Sequence, residues 1–140
     1  MTKKAAIIAL AVAALAGCTA PGIPEAQRID GIDWKLVQLD GLPREHDVSL
    51  RIDGDRLTGI GPCNAYAAAQ AATAPGFSAQ RLSWTDMPCT DPGRQTAEML
   101  YANRLMRVES MQRDRATLVL SGPYTQMIFE RREARGDEVF

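Results

Sequence analysis

Between Ile32 and Arg131 apolar and polar residues alternate in short runs, broken once by a helical spacing. Ile32, Trp34 and Leu36 alternate with Asp33 and Lys35, the period-two signature of a half-buried strand; Val37 and Leu39 then shift the phase, as a β-bulge or burial on both faces would. After the break at Gly41-Leu42-Pro43, Val48, Leu50 and Ile52 alternate with Ser49, Arg51 and Asp53. Asp53-Gly54-Asp55 then supplies the positive φ of a tight hairpin, so Arg56–Ile60 is expected to return antiparallel. Gly59 and Gly61 interrupt that strand, a pattern of bulges or close backbone approach, and Pro62 removes a ladder donor. Leu82 and Trp84, opposite Arg81 and Ser83, predict another strand. Arg113-Asp114-Arg115 and Gly122-Pro123 are turns of a meander whose strands place Leu118, Leu120, Met127 and Phe129 on the core.

The helical spacing begins where Asp91 can cap and Pro92 fits a first helical position. Ala97, Leu100, Tyr101, Leu105 and Val108 then recur at i, i+3, i+4 intervals. Met99 and Met106 widen this stripe; methionine commonly fills gaps in cores, and both are expected inside. One stretch is ambiguous. Six of the eight residues from Ala67 to Ala74 are alanine, which locally favours a short helix before Pro75-Gly76 ends it. Short strands with one helix near residues 92–107 predict a mainly β, β-rich α+β domain: a curled antiparallel sheet or small barrel with the helix over an opening. A single core is expected from 140 residues.

The first residues change the picture from a free domain to an anchored one. Lys3 and Lys4 precede an apolar run from Ala5 to Ala16 that ends in Leu15-Ala16-Gly17-Cys18, the basic, apolar and small-residue zones of a secretory signal. Twelve residues of helix cover about 18 Å, short of the roughly 30 Å hydrocarbon core. Leu15-Ala16-Gly17-Cys18 resembles the lipobox of bacterial lipoproteins, which implies cleavage of residues 1–17, acylation of Cys18 and membrane attachment through it. Thr19 stands where the resembling class uses aspartate for inner-membrane retention, so the expected location is the outer membrane, facing the periplasm. Residues 18–31, with Pro21, Gly22 and Pro24, fit a flexible tether, and 132–140 a charged tail.

Removing Lys3 and Lys4 lowers the Lys and Arg count from 16 to 14 against 17 Asp and Glu, a net charge of −3. No basic field then favours nucleic acid as a partner. With Cys18 acylated, Cys63 and Cys89 remain as an even pair in an oxidising compartment, where a disulfide is the default; a metal site or a redox pair competes, without CxxC spacing and with only His46 to join them. Ser83, Thr85, Asp86 and Asp91 lie near Cys89 in the chain, but Asp91 already has a role as a cap and His46 sits among Arg44, Glu45 and Asp47 like a surface residue. No catalytic, cofactor or metal set is assigned. Asn64 is expected to bond backbone in the turn after Cys63.

Trp34, then Gly59 with Cys63-Asn64-Ala65-Tyr66, then Thr85-Asp86-Met87-Pro88-Cys89, and finally Leu118-Val119-Leu120 with Met127-Ile128-Phe129-Glu130-Arg131, together resemble the META domain, or HslJ-like, family. The resemblance spans residues 32–131 and singles out Gly59, Cys63, Asn64, Tyr66, Thr85 and Met87 as its motif. It implies a lipocalin-like β fold with a helix, often in envelope lipoproteins linked to heat shock, antibiotic tolerance or virulence. Ala67-Ala68-Ala69-Gln70-Ala71-Ala72 departs from the glycine-punctuated strand usual there, yet an extended conformation is still expected. The function that follows is a non-enzymatic, lipid-anchored envelope protein that binds an envelope protein or small ligand or supports stress tolerance. The alternative is a periplasmic inhibitor of a cell-wall hydrolase such as lysozyme.

Overall fold

The computed structural model describes Gly22, Pro24 and residues 27–133. Cys18, the signal segment 1–17 and residues 134–140 lie outside the described residues. The described strands are β1 (Asp33–Leu39), β2 (Leu42–Pro43), β3 (Ser49–Asp53), β4 (Arg56–Ile60), β5 (Ala65–Gln70), β6 (Ala79–Trp84), β7 (Ser110–Asp114), β8 (Thr117–Gly122) and β9 (Thr125–Arg131). The helix α1 (Pro92–Leu105) stands between β6 and β7. The sheet is antiparallel and runs β6-β5-β4-β3-β1-β9-β8-β7, with β2 paired to β1 off this path.

The alternation seen in the sequence sets the curl. Trp34, Leu36, Leu50, Ile52, Leu57, Leu118, Leu120, Met127 and Phe129 all point to one interior and are almost wholly buried. Against β9, the register of β1 shifts between Leu36 and Gln38, a bulge that accounts for the change of phase at Val37. Gly54, at φ +58°, makes the turn that pairs Asp53 with Arg56. A second register shift, between Ala67 and Ala69 against β6, coincides with Arg81 at φ +52° and moves the buried phase from Ala79 to Leu82 and Trp84.

The alanine-rich segment is a strand as far as Gln70, with Tyr66, Ala68 and Gln70 buried in alternation. Ladders to β4 on one side and β6 on the other satisfy its backbone, which outweighs the helix propensity of alanine. The end strands β6 and β7 are drawn together at one end by the segment before β6. Phe77 N donates to Glu109 O (2.9 Å), Met111 N donates to Pro75 O (2.8 Å), and Gly76 bridges Ser110. The result is a curled half-barrel.

At the start of α1 the Asp91 carboxylate accepts from Gly93 N (2.8 Å) and Arg94 N (3.3 Å), with Pro92 in the first turn, as the sequence predicts. Tyr101 and Leu105, one turn apart, enter the core. Met99 and Met106 do not: they are 72% and 59% exposed, against expectation. The barrel opening accepts only a narrow stripe of the helix, and Met99 lies about 200° round the axis from Tyr101, at about 100° per residue. Leu100 is also turned partly outward, 43% exposed.

Candidate functional site

Gly59 and Tyr66 face each other across β4 and β5. A Cβ on Gly59 would stand 2.1 Å from Ser49 O and 2.5 Å from the Tyr66 hydroxyl oxygen, so the glycine leaves the space that the tyrosine crosses. The Tyr66 hydroxyl donates to Ser49 O (2.7 Å) and lies 2.7 Å from the Tyr101 hydroxyl, which then donates to it. Trp84 covers the other side of Tyr66, ring centroids 5.0 Å apart. Gly61 serves the same packing: a Cβ there would come within 2.6 Å of Trp84 Cζ3 and 3.0 Å of Glu98 Oε2. Burial, and next the neighbouring Tyr101, pushes the Tyr66 hydroxyl pKa well above its ordinary value. Burial raises that of Tyr101 as well, with its hydroxyl contact to Tyr66 opposing the rise.

The second half of the motif is held by a residue the sequence reading did not select. Glu98, on α1, accepts Cys63 N (2.8 Å) and Asn64 N (2.7 Å) at Oε2 and Asn64 Nδ2 (3.0 Å) at Oε1. Asn64 Oδ1 in turn accepts Met87 N (2.7 Å) and the Thr85 hydroxyl (3.1 Å), while Thr85 Oγ1 accepts Ala65 N (3.1 Å). Asn64 therefore bonds backbone, as expected, but across to the second segment instead of within its own turn. Cys63 and Cys89 are joined as a disulfide with Cα atoms 5.7 Å apart. Met87 contributes its amide to this network and leaves its side chain exposed. The visible signal for Glu98 was its place three residues before Tyr101 and seven before Leu105, a carboxylate on the buried stripe.

Other polar residues weighed from the sequence are dispersed. Ser83 Oγ donates to Ala67 O (3.3 Å), Asp91 caps α1, and Asp86 is exposed. His46 belongs to the wall of a cavity beside α1. Among the described residues, no group of three or more His, Cys, Asp or Glu is placed to hold a metal ion, and no helix is long and apolar enough to cross a membrane.

That cavity, about 610 Å³, opens between α1 and the β1–β3 connection. Leu36, Val48 and Tyr101, core residues themselves, form its floor, and Leu39, Leu42 and Leu100 continue the apolar lining outward. Leu42 is 70% exposed at the rim. Arg104 and Asp40 form a polar edge, with Arg104 Nε 2.7 Å from Asp40 Oδ2. The contact is an ion pair by distance; the buried Nε–H makes no aligned hydrogen bond, so the attraction is Coulombic. Asp40 Oδ1 accepts the Thr125 hydroxyl (2.8 Å) and Gln126 N (3.0 Å). Burial opposes ionisation of Asp40, but the Gln126 amide, the Thr125 hydroxyl and Arg104 together hold its pKa below the ordinary 3.8.

The same architecture occurs in solved structures. The NMR structure of a protein from Burkholderia xenovorans matches 96% of this chain and 100% of its own length, with 21% sequence identity and a TM-score of 0.62. A second protein solved by NMR matches 73% of this chain and 90% of its own, at 14% identity and a TM-score of 0.58. At these identities the likeness is one of fold. No curated protein matches the chain. The META domain family matches residues 27–134, from the segment before β1 to just past β9, and takes in the disulfide, the Glu98 clasp and the cavity. The chain belongs to the META domain family.

Proposed function

We propose that this META domain protein is a lipid-anchored component of the bacterial envelope that works by binding instead of catalysis. The sequence Leu15-Ala16-Gly17-Cys18 supports the anchor, and the tether to residue 31 supports a domain held near a membrane surface. The cavity beside α1 is the observation that carries the binding role. The polar groups of Asn64, Tyr66, Thr85 and Glu98 are engaged with one another and with backbone, whereas the apolar lining of the cavity runs from core to rim. Strand β1 begins next to the tether and carries Leu36 and Leu39 into the cavity wall, so the opening stands about 20 Å from the tether, at 3.3 Å per residue.

Three measurements test this reading. Mass spectrometry of the N-terminal peptide from membranes should find acylated Cys18, and Cys18→Ser should move the protein to the soluble fraction. A photo-crosslinking side chain at Leu42 or Leu100 should capture a discrete envelope component in intact cells, whereas one at Asp114 should not. Membrane release unaffected by Cys18→Ser, or no difference between the two positions, would overturn it. A lysozyme inhibition assay covers the hydrolase-inhibitor alternative, and the binding role at the cavity predicts no inhibition there.

A further inference from the structure

The cavity beside α1 has the form of a site for one small amphipathic molecule. Its volume, about 610 Å³, lies within the range of roughly 300–1,000 Å³ typical of sites that enclose small ligands. Its floor reaches Leu36, Val48 and Tyr101, each at most 3% exposed, so an occupant would touch the core of the domain and not only its surface. A protein partner commonly covers about 800 Å² of surface on each side, and a pocket of this volume that reaches core residues suits a chain or ring better than a broad face.

The polar groups at the edge narrow the chemistry. Arg104 is about a quarter exposed and belongs to the lining; Asp40 is its charged partner among the described residues, and meets only the Nε side. Guanidinium carries five donors in a fixed fork, so the Nη1 and Nη2 donors remain for an acceptor in the cavity mouth. Asp40 does not compete for them as a free anion, because Thr125, Gln126 and Arg104 already occupy its oxygens. Arg44, on the same wall, is paired with Asp47 (3.0 Å). The edge also carries Glu45 and His46, and at Arg104 it offers hydrogen-bond donors above an apolar floor.

We propose that this cavity binds an acyl-chain carboxylate, with the chain against Leu36, Leu39, Val48 and Leu100 and the carboxylate accepting from the Nη donors of Arg104. The proposal deepens the binding role assigned to the same cavity and rests on it. It also specifies a small molecule, where photo-crosslinking reads any partner.

The test is an NMR titration of the full chain carrying Cys18→Ser, so that no acyl group of its own is present, with decanoate and decanol as probes. Saturable shifts with decanoate are expected at Leu36, Val48 and Tyr101. Ala97→Trp, which fills the cavity from α1, should abolish them, and Leu100→Trp should do the same from the rim if the first variant loses the native spectrum. Arg104→Met should weaken decanoate by about tenfold or more and leave decanol within about threefold, as expected for loss of a charge-assisted hydrogen bond. Shifts scattered over the surface, or decanoate binding that survives both tryptophan variants, would overturn the site. Equal weakening of both probes by Arg104→Met would overturn the carboxylate assignment. Captured protein partners at Leu42 or Leu100 without decanoate binding would leave the binding role standing and remove the acyl ligand.

Discussion

Asn64 and Glu98, 34 residues apart in the chain, are joined by two hydrogen bonds: the Asn64 backbone amide to Oε2 at 2.7 Å and its side-chain amide to Oε1 at 3.0 Å. Asn64 passes the link on to Met87 and Thr85 through Oδ1. One residue thus ties the turn after β4, the segment after β6 and the helix α1 together. The disulfide closes the same junction covalently. Asn64, Thr85, Glu98 and the disulfide consequently form a clasp that seats the helix on the half-barrel, and the cavity next to that helix depends on the seating.

Gly59→Ala should be among the most damaging single changes in the chain. The new methyl would meet Ser49 O, which is backbone, at 2.1 Å and the Tyr66 hydroxyl at 2.5 Å. Overpacking of this kind costs about 3 kcal/mol. Tyr66→Phe removes the bonds to Ser49 O and Tyr101 but keeps the ring carbon Cζ that would stand 2.6 Å from the new methyl, and alone should cost about 1–3 kcal/mol. Urea denaturation of the two single variants checks both values; an alanine at residue 59 tolerated within about 0.5 kcal/mol would contradict the close approach.

Stability should fall on the alkaline side through the buried tyrosines. Both hydroxyls have folded pKa values above the ordinary 10.0, so above about pH 10 the unfolded chain loses protons that the folded chain keeps. Their contribution is complete below that pH and is lost progressively as pH rises through the folded values. Asp40 acts in the opposite direction: its pKa is lowered from 3.8, so its contribution is present above that value and disappears as pH falls below it. Melting temperatures followed from pH 8 to 12, in steps of about one unit, should decline steeply past pH 10, and less steeply in Tyr66→Phe. An equal slope in the variant would contradict the pair.

Loss of the cross-link should weaken the domain without abolishing it. By the chain-entropy relation the Cys63–Cys89 loop contributes roughly 3–4 kcal/mol, and the Cys63→Ser, Cys89→Ser double variant should lose that much while keeping its spectrum, because Asn64 still ties the same segments. Thiol titration of the unreduced protein should find neither cysteine free.

Much of this fold was legible from local pattern. The hairpin at Asp53-Gly54-Asp55, the bulge after Leu36 and the cap at Asp91-Pro92 each follow from a few adjacent residues, and the structure has all three. The reading that failed concerned facing. Spacing alone cannot tell how wide a stripe of α1 the half-barrel will accept, so Met99 and Met106 were placed inside when they stand in solvent. Glu98 escaped notice because its partners come from a turn 34 and 35 residues earlier, and no local period encodes such a pairing. The cavity was likewise out of reach, since Leu36, Leu100 and Arg104 meet only once the helix is seated.

The clasp is tested most directly by a double-mutant cycle on Asn64→Ala and Glu98→Ala, with unfolding free energies from urea denaturation. The alanine at residue 64 keeps the backbone amide and removes the side-chain links, whereas the alanine at residue 98 strands the Cys63 and Asn64 amides. Each single variant should lose about 2–3 kcal/mol, and the pair should show a coupling energy of about 1–2 kcal/mol. Single losses under about 0.5 kcal/mol with no coupling would contradict the clasp.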